Sequence, residues 1–178
     1  MSDNAARLAA IFGEVHTERL VLRRLRPDDG PALFAIDGDP ATNQHNPAGP
    51  ARDPAECEER LREWLREWDQ HGFGYWAVAL PETDAVIGFG GVRLIRWRER
   101  EALNLYYRFT PSAWGHGYAT ETARMAVALA RAHLPQWPVV ARTRPANSAA
   151  IRTAERAGLA RRPDLDTEHV VLVLGWDS

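Results

Sequence analysis

Cysteine occurs once, as Cys57, in 178 residues. No internal disulfide can form, and a reducing, cytoplasmic compartment is expected. There is no basic excess: 22 Lys and Arg stand against 24 Asp and Glu, a formal net charge of -2. The cationic face of a nucleic-acid binder is therefore not expected. Apolar runs such as 170–174 fall far short of the roughly 20 residues that a membrane-spanning helix needs, so no membrane partner is expected either. Asp3 sits where a secretory leader carries positive charge. Internal repeats, low-complexity tracts and long linkers are also missing.

What is present is an ordinary globular composition, 45% hydrophobic and 26% charged, in a chain long enough for one domain with a full core. The first dozen residues read as a loose arm or a short helix. Segment 18–25 alternates, Leu20 and Leu22 against Val21 and Arg23, and is predicted as a strand. A short helix follows, ending near Gly38. Residues 40–53 are rich in Pro, Asn and Gly and read as an unpacked loop. Asp53 offers a helix N-cap, with Pro54 in the first helical position and Glu56 three residues past the cap. Cys57, Leu61, Trp64, Leu65 and Trp68 then mark one face of an amphipathic helix that ends near Gly72. Segments 75–80 and 85–95 read as a hairpin and 101–110 as a third strand. A helix over 120–134 stops before Pro135. A short strand over 137–143, a helix from its cap Asn147 to Gly158, and a strand over 169–176 close the chain. This order predicts one α/β (α+β) domain with a mixed, mostly antiparallel sheet flanked by helices.

The stretch "PSAWGHGYATETA", 111–123, places Gly115 and Gly117 between a strand and a helix. A helix N-terminus leaves N–H donors unsatisfied and carries partial positive charge. Glycines let a ligand approach the backbone. The combination suits an anion, above all a phosphate; the plainer reading is a tight turn. No Lys-Ser/Thr follows, so it is not a Walker loop, and the third glycine of a dinucleotide fingerprint is missing.

The same stretch resembles the cofactor turn of GNAT-superfamily N-acetyltransferases, whose pattern is Q/R-x-x-G-x-G/A. Trp114 stands at its first position, Gly117 at the glycine and Ala119 at the last. Four other stretches are similar to the ribosomal-protein N-terminal acetyltransferase branch, in the same order: "ERLVLRRLRPDD", "FGYWAVALPETDAVIGFGGV", "LYYRFTPSAW" and "NSAAIRTAERAGL". The likeness departs at two places. Tyr106 stands where Gly often precedes the tyrosine, and Ala150 stands where a serine serves the departing thiolate.

The resemblance implies a single GNAT-like domain over 1–178, with 1–16 as an N-terminal arm. It implies acetyl-CoA as co-substrate and no metal. It implies transfer of the acetyl group to a primary amine, a protein N-terminus or a small molecule, and a homodimer is one expected state. The backbone amides of Gly115, His116, Gly117, Tyr118 and Ala119, with Thr120 and the flanking Trp114, are expected at the pyrophosphate. The Phe109 backbone and Asn147 are expected at pantetheine, with Asn147 also readable as a plain cap. Arg152 is expected at the 3′-phosphate, with Arg124 and Arg156 as further candidates. For catalysis the candidates are Tyr107 as proton donor to the thiolate, Asn147, and Glu101 as base, although positioning without a dedicated base is the favoured mechanism. His45, Asn46, Trp76 and Asn104 are the expected substrate contacts. A non-catalytic acyl-CoA-binding module and a nucleotide-binding protein are the competing readings.

Overall fold

Strand propensity in Val, Leu, Tyr and Trp runs, punctuated by Pro and Gly, yields eight strands that join in one sheet. The computed structural model describes residues 2–177. In chain order the elements are α1 (Asp3–Phe12), β1 (Glu14–His16), β2 (Val21–Arg24), α2 (Gly30–Asp37), α3 (Pro54–His71), β3 (Tyr75–Ala79), β4 (Val86–Trp97), β5 (Arg100–Phe109), α4 (Tyr118–His133), β6 (Val139–Thr143), α5 (Ser148–Arg156), β7 (Ala160–Arg161) and β8 (Val170–Leu174). The sheet order is β1-β2-β3-β4-β5-β6-β8-β7. Every neighbouring pair is antiparallel except β5 and β6. The expected α/β fold with a mixed, mostly antiparallel sheet is the observed one.

Local signals place α3 as expected. The Asp53 carboxylate accepts the Glu56 N–H at 3.0 Å, and Glu56 in turn accepts the Arg52 N–H at 3.1 Å. Gly72, at φ 77°, closes the helix in the left-handed region. Its buried face is Cys57, Leu61, Trp64 and Trp68. Burial pushes the Cys57 thiol up to about 11, so this cysteine packs as a small hydrophobe and stays unreactive.

Two expectations need correction. Of the two readings of the N-terminal segment the short helix holds and the arm over 1–16 does not, since its described part forms α1 and the edge strand β1. Leu8 and Phe12 enter the main core, and the Phe12 carbonyl accepts the Trp76 indole N–H at 2.6 Å. Residues 40–53 are not an unpacked loop either. A 3-10 turn at Pro40–Asn43 buries Asn43, whose amide donates to the carbonyls of Asp37 and Asp39 at 2.8 and 2.9 Å. Asn46 donates to Asn43 and to the Gly49 carbonyl, both at 2.9 Å. Side-chain amides thus supply the bonds that a regular element would have made.

Candidate active site

The sheet opens between β5 and β6. They pair only at Leu103↔Val139 and Asn104↔Val140, then diverge. The Thr110 N–H donates to the Ile87 carbonyl at 2.9 Å, next to the Gly88↔Phe109 pair. In an antiparallel ladder this bond makes Phe109 a residue whose own N–H and C=O point away from β4. Alternation carries the same orientation to Tyr107, Leu105 and Leu103. Leu103 donates its N–H to the Pro138 carbonyl at 2.8 Å. Above it, the backbone edges of Leu105, Tyr107 and Phe109 face the gap. The Phe109 carbonyl accepts the Trp114 indole N–H at 2.9 Å, which holds that half-exposed ring at the rim.

Strand parity sorts the side chains into two halves. Tyr107 faces α5, where its hydroxyl donates to the Ala150 carbonyl at 2.6 Å. Tyr106 and Arg108 point the other way. The Tyr106 ring lies 6.1 Å from that of Trp64 on α3. Arg108 Nη1 lies 3.3 Å from Asp37 Oδ1 on α2 and 3.3 Å from Asn43 Oδ1. Burial pushes both the Tyr106 and Tyr107 phenols up, so neither ionises at neutral pH.

Beside the gap, Gly115 and Gly117 take φ 79° and 78°, a conformation that costs an L-residue roughly 1–2 kcal/mol. α4 begins at Tyr118, earlier than expected, and its N-cap Gly117 has no side chain to occupy the first-turn N–H groups. The space where a Gly115 side chain would stand is open. Arg19 braces the turn: Nη1 donates to the His116 carbonyl at 2.7 Å and Nε to Glu121 Oε2 at 2.8 Å. The Thr17 hydroxyl and the Arg19 N–H also donate to Glu121, at 2.6 and 2.8 Å. Burial would raise the Glu121 carboxyl, but these bonds hold it below its ordinary value.

The gap and the turn form one cleft of about 740 Å³. Among the described residues five arginines line it, Arg108, Arg142, Arg144, Arg152 and Arg156, and no Asp or Glu does. The cleft fits acetyl-CoA. The open cradle at Gly115 and Gly117, the uncapped helix end and Arg152 with Arg156 match its phosphates. The free strand edge matches the pantetheine amides. Among the described residues no group of three or more His, Cys, Asp or Glu is arranged to hold a metal ion.

Most sequence-predicted site residues meet in this cleft: Tyr107, Phe109, Trp114, Gly115, Gly117, Tyr118, Ala119, Thr120, Asn147 and Arg152, with His45 and Asn46 on the opposite wall. Asn147 caps α5, accepting the Ala150 N–H at 3.2 Å, and lines the cleft as well. His116 does not line it; its exposed ring stacks on Tyr118 with centroids 5.3 Å apart, and its carbonyl takes the Arg19 bond. Three candidates lie elsewhere. Glu101 is exposed at the far end of the β4–β5 hairpin, where it accepts the Trp137 indole N–H at 2.9 Å. Along β5 it is about 20 Å from Tyr107 at roughly 3.3 Å per residue, which removes it as a base. Asn104 sits at the apex of the gap and donates to the Tyr75 hydroxyl at 2.7 Å. Trp76 is 0% exposed and holds α1, so it touches no substrate.

Sequence reasoning missed Arg108, Arg142, Thr143 and His169, which also line the cleft. Alternation from Tyr106 marks Arg108. The others depend on where β6 parts from β5, which no local pattern reveals.

Residues 19–160 match the family model described as an acetyltransferase (GNAT) domain. The chain is similar to a solved acetyltransferase from Agrobacterium tumefaciens strain C58. Identity is 27% and the TM-score 0.77, with 90% of this chain and 93% of that one covered. It is similar to the uncharacterized N-acetyltransferase p20 of Bacillus licheniformis, 24% identical over 139 residues, covering 78% of this chain and 77% of the relative. It shares its fold with a spermidine N-acetyltransferase from Vibrio cholerae solved with CoA and spermine. There the TM-score is 0.69 and identity 16%, over 88% of this chain and 94% of that one.

Proposed function

The chain belongs to the GNAT acetyltransferase family, and on that premise we propose that it transfers an acetyl group from acetyl-CoA to a primary amine. The parting of β5 and β6 beside the braced glycine turn carries this reading. The CoA-bound spermidine acetyltransferase of similar fold supports it. When bound, acetyl-CoA supplies an acyl group activated as a thioester. The N–H groups of the turn and of the first turn of α4 hold the pyrophosphate, and Arg152 and Arg156 hold phosphate charge. The strand edge of Leu105, Tyr107 and Phe109 aligns the pantetheine arm, with Asn147 beside it.

In the reaction one N–C bond forms and the thioester C–S bond breaks. The amine gives up one proton and the departing sulfur gains one. With no carboxylate in the cleft, the amine proton leaves to water. The Tyr107 proton is engaged by Ala150, so the sulfur draws its proton from solvent. The chain then contributes chiefly positioning, which supplies up to about 7–11 kcal/mol in well-aligned cases.

The experiment is a calorimetric titration with acetyl-CoA, with ATP as control, followed by thiol release over a panel of amines. Micromolar binding of acetyl-CoA but not ATP, with turnover, is expected. Absence of acetyl-CoA binding refutes the reading. The missing base and Ala150 favour one rival, an acyl-CoA-binding module without turnover. Binding with no turnover on any amine would establish that rival.

A further inference from the structure

The acceptor half of the cleft has an uncompensated positive charge. Asp37, 1% exposed at its side chain, accepts from Arg60 through Oδ2 and from Arg108 through Oδ1. Both carboxylate oxygens are therefore engaged by two guanidinium groups, and one unit of positive charge is left over. Arg60 sits behind the wall, whereas Arg108 lines the cleft with its side chain 24% exposed. Its Nη1 is pinned to Asp37 and Asn43. Its Nη2 and Nε have no partner among the described residues.

Arg142, on the same side of the sheet as Arg108 by parity, also lines the cleft, and its guanidinium lies 5.8 Å from the Trp97 ring. The opposite wall contributes only neutral or basic groups, Thr42, Gln44, His45 and Asn46. A polycation entering here would meet like charge with no carboxylate to hold it. A guanidinium with two free donors in a fixed fork matches a carboxylate instead.

We propose that Arg108 recognises a carboxylate on the acceptor, so that the amine substrate is a small amino acid and not a polyamine. The proposal rests on the acetyl-transfer reading. Phosphate binding at the glycine turn does not account for Arg108, because strand parity points its side chain to the face opposite Tyr107 and α5. The carboxylate docks on the free edge of the Arg108 fork beside the Tyr106 ring. The amine of the same small molecule then reaches toward the strand gap between β5 and β6.

The test compares amino acids with their own carboxamides, and with spermidine, as acceptors under saturating acetyl-CoA. The acids are expected to show kcat/KM at least tenfold above the amides. Arg108→Gln should abolish that preference by raising KM at least tenfold for the acids, with kcat and the acetyl-CoA Kd little changed. Arg108→Lys, which keeps the charge beside Asp37, should recover part of it. Preference for spermidine or for the amides in the unaltered protein overturns the proposal and leaves acetyl transfer standing. If no amine is turned over, acetyl transfer itself fails. Arg108 is then judged by titrating acid and amide into protein saturated with acetyl-CoA: binding of the acid alone supports the carboxylate site, and equal or absent binding overturns it.

Discussion

At the residue scale, Gly117 carries the sharpest consequence. It combines a left-handed backbone with the N-cap of α4, so a β-branched side chain both strains the turn and blocks the phosphate approach. Gly117→Val is expected to weaken acetyl-CoA binding at least tenfold, about 1.4 kcal/mol; unchanged affinity by calorimetry would remove the turn from the binding site. Asn147 has two roles to separate. Asn147→Ala should lower stability by about 1 kcal/mol through the lost cap and should also cut turnover. Asn147→Ser restores a capping oxygen without the amide. If it recovers the melting temperature but not the rate, Asn147 touches the substrate; if it recovers both, the residue is a cap alone. The cofactor turn was readable in the sequence because its determinants lie within a dozen residues of one another. Trp76 was misread because its role is fixed by a carbonyl on Phe12, 64 positions away, and nothing local to the β3 segment signals it.

At the element scale, the brace between the β1–β2 connection and α4 gives a pH dependence. Glu121 has a depressed carboxyl in the folded chain, held by Thr17 and Arg19. A depressed carboxyl adds stability above its unfolded value of about 4.3, and that stability is lost as pH falls through the lower folded value. Glu121→Gln is therefore expected to melt below the unaltered protein at pH 7, by about 1 kcal/mol after allowance for the half-exposed Arg19. The gap between the two should shrink below roughly pH 4, and a gap independent of pH in paired melts would contradict the brace. α1 makes a second prediction. Leu8 and Phe12 are 2% and 0% exposed, each worth about 1.5–3 kcal/mol on burial. Deleting residues 1–12 should lower the melting temperature steeply by circular dichroism; a melt like that of the full chain would make the segment an arm after all. α3 was legible because cap, apolar face and terminating glycine are consecutive in sequence. The helix α1 was one of two readings of its segment, but its docking on the core was not legible, nor was the 3-10 turn at Pro40–Asn43, since both are secured by partners on other elements.

For the whole molecule, charge is unevenly spread. The net formal charge is -2, yet the cleft is lined by arginine with no acid among them. Such a field steers anions toward the opening and is screened by salt. The association rate of acetyl-CoA in stopped flow should fall as ionic strength rises from 0.01 to 0.5 M, roughly tenfold or more, while a flat profile would mean that the cations play no part in capture. The half of the cleft built around the glycine turn was foreseeable from one contiguous motif. The acceptor half was foreseeable only at His45 and Asn46, because Arg108 and Arg142 come from β5 and β6 and His169 from the bend before β8, whose relative spacing is set by the divergence of β5 and β6.

That divergence also has a mechanical side. The sheet is continuous across its middle only at Leu103–Val139 and Asn104–Val140, so β1–β5 and β6–β8 form two leaves joined along a short seam. A pantetheine arm lying along Leu105, Tyr107 and Phe109 is the missing rib between the leaves. Occupancy should therefore register as stiffness. Hydrogen exchange should slow along β6, which lines the gap, and in β8 paired behind it, because the ligand completes the sheet.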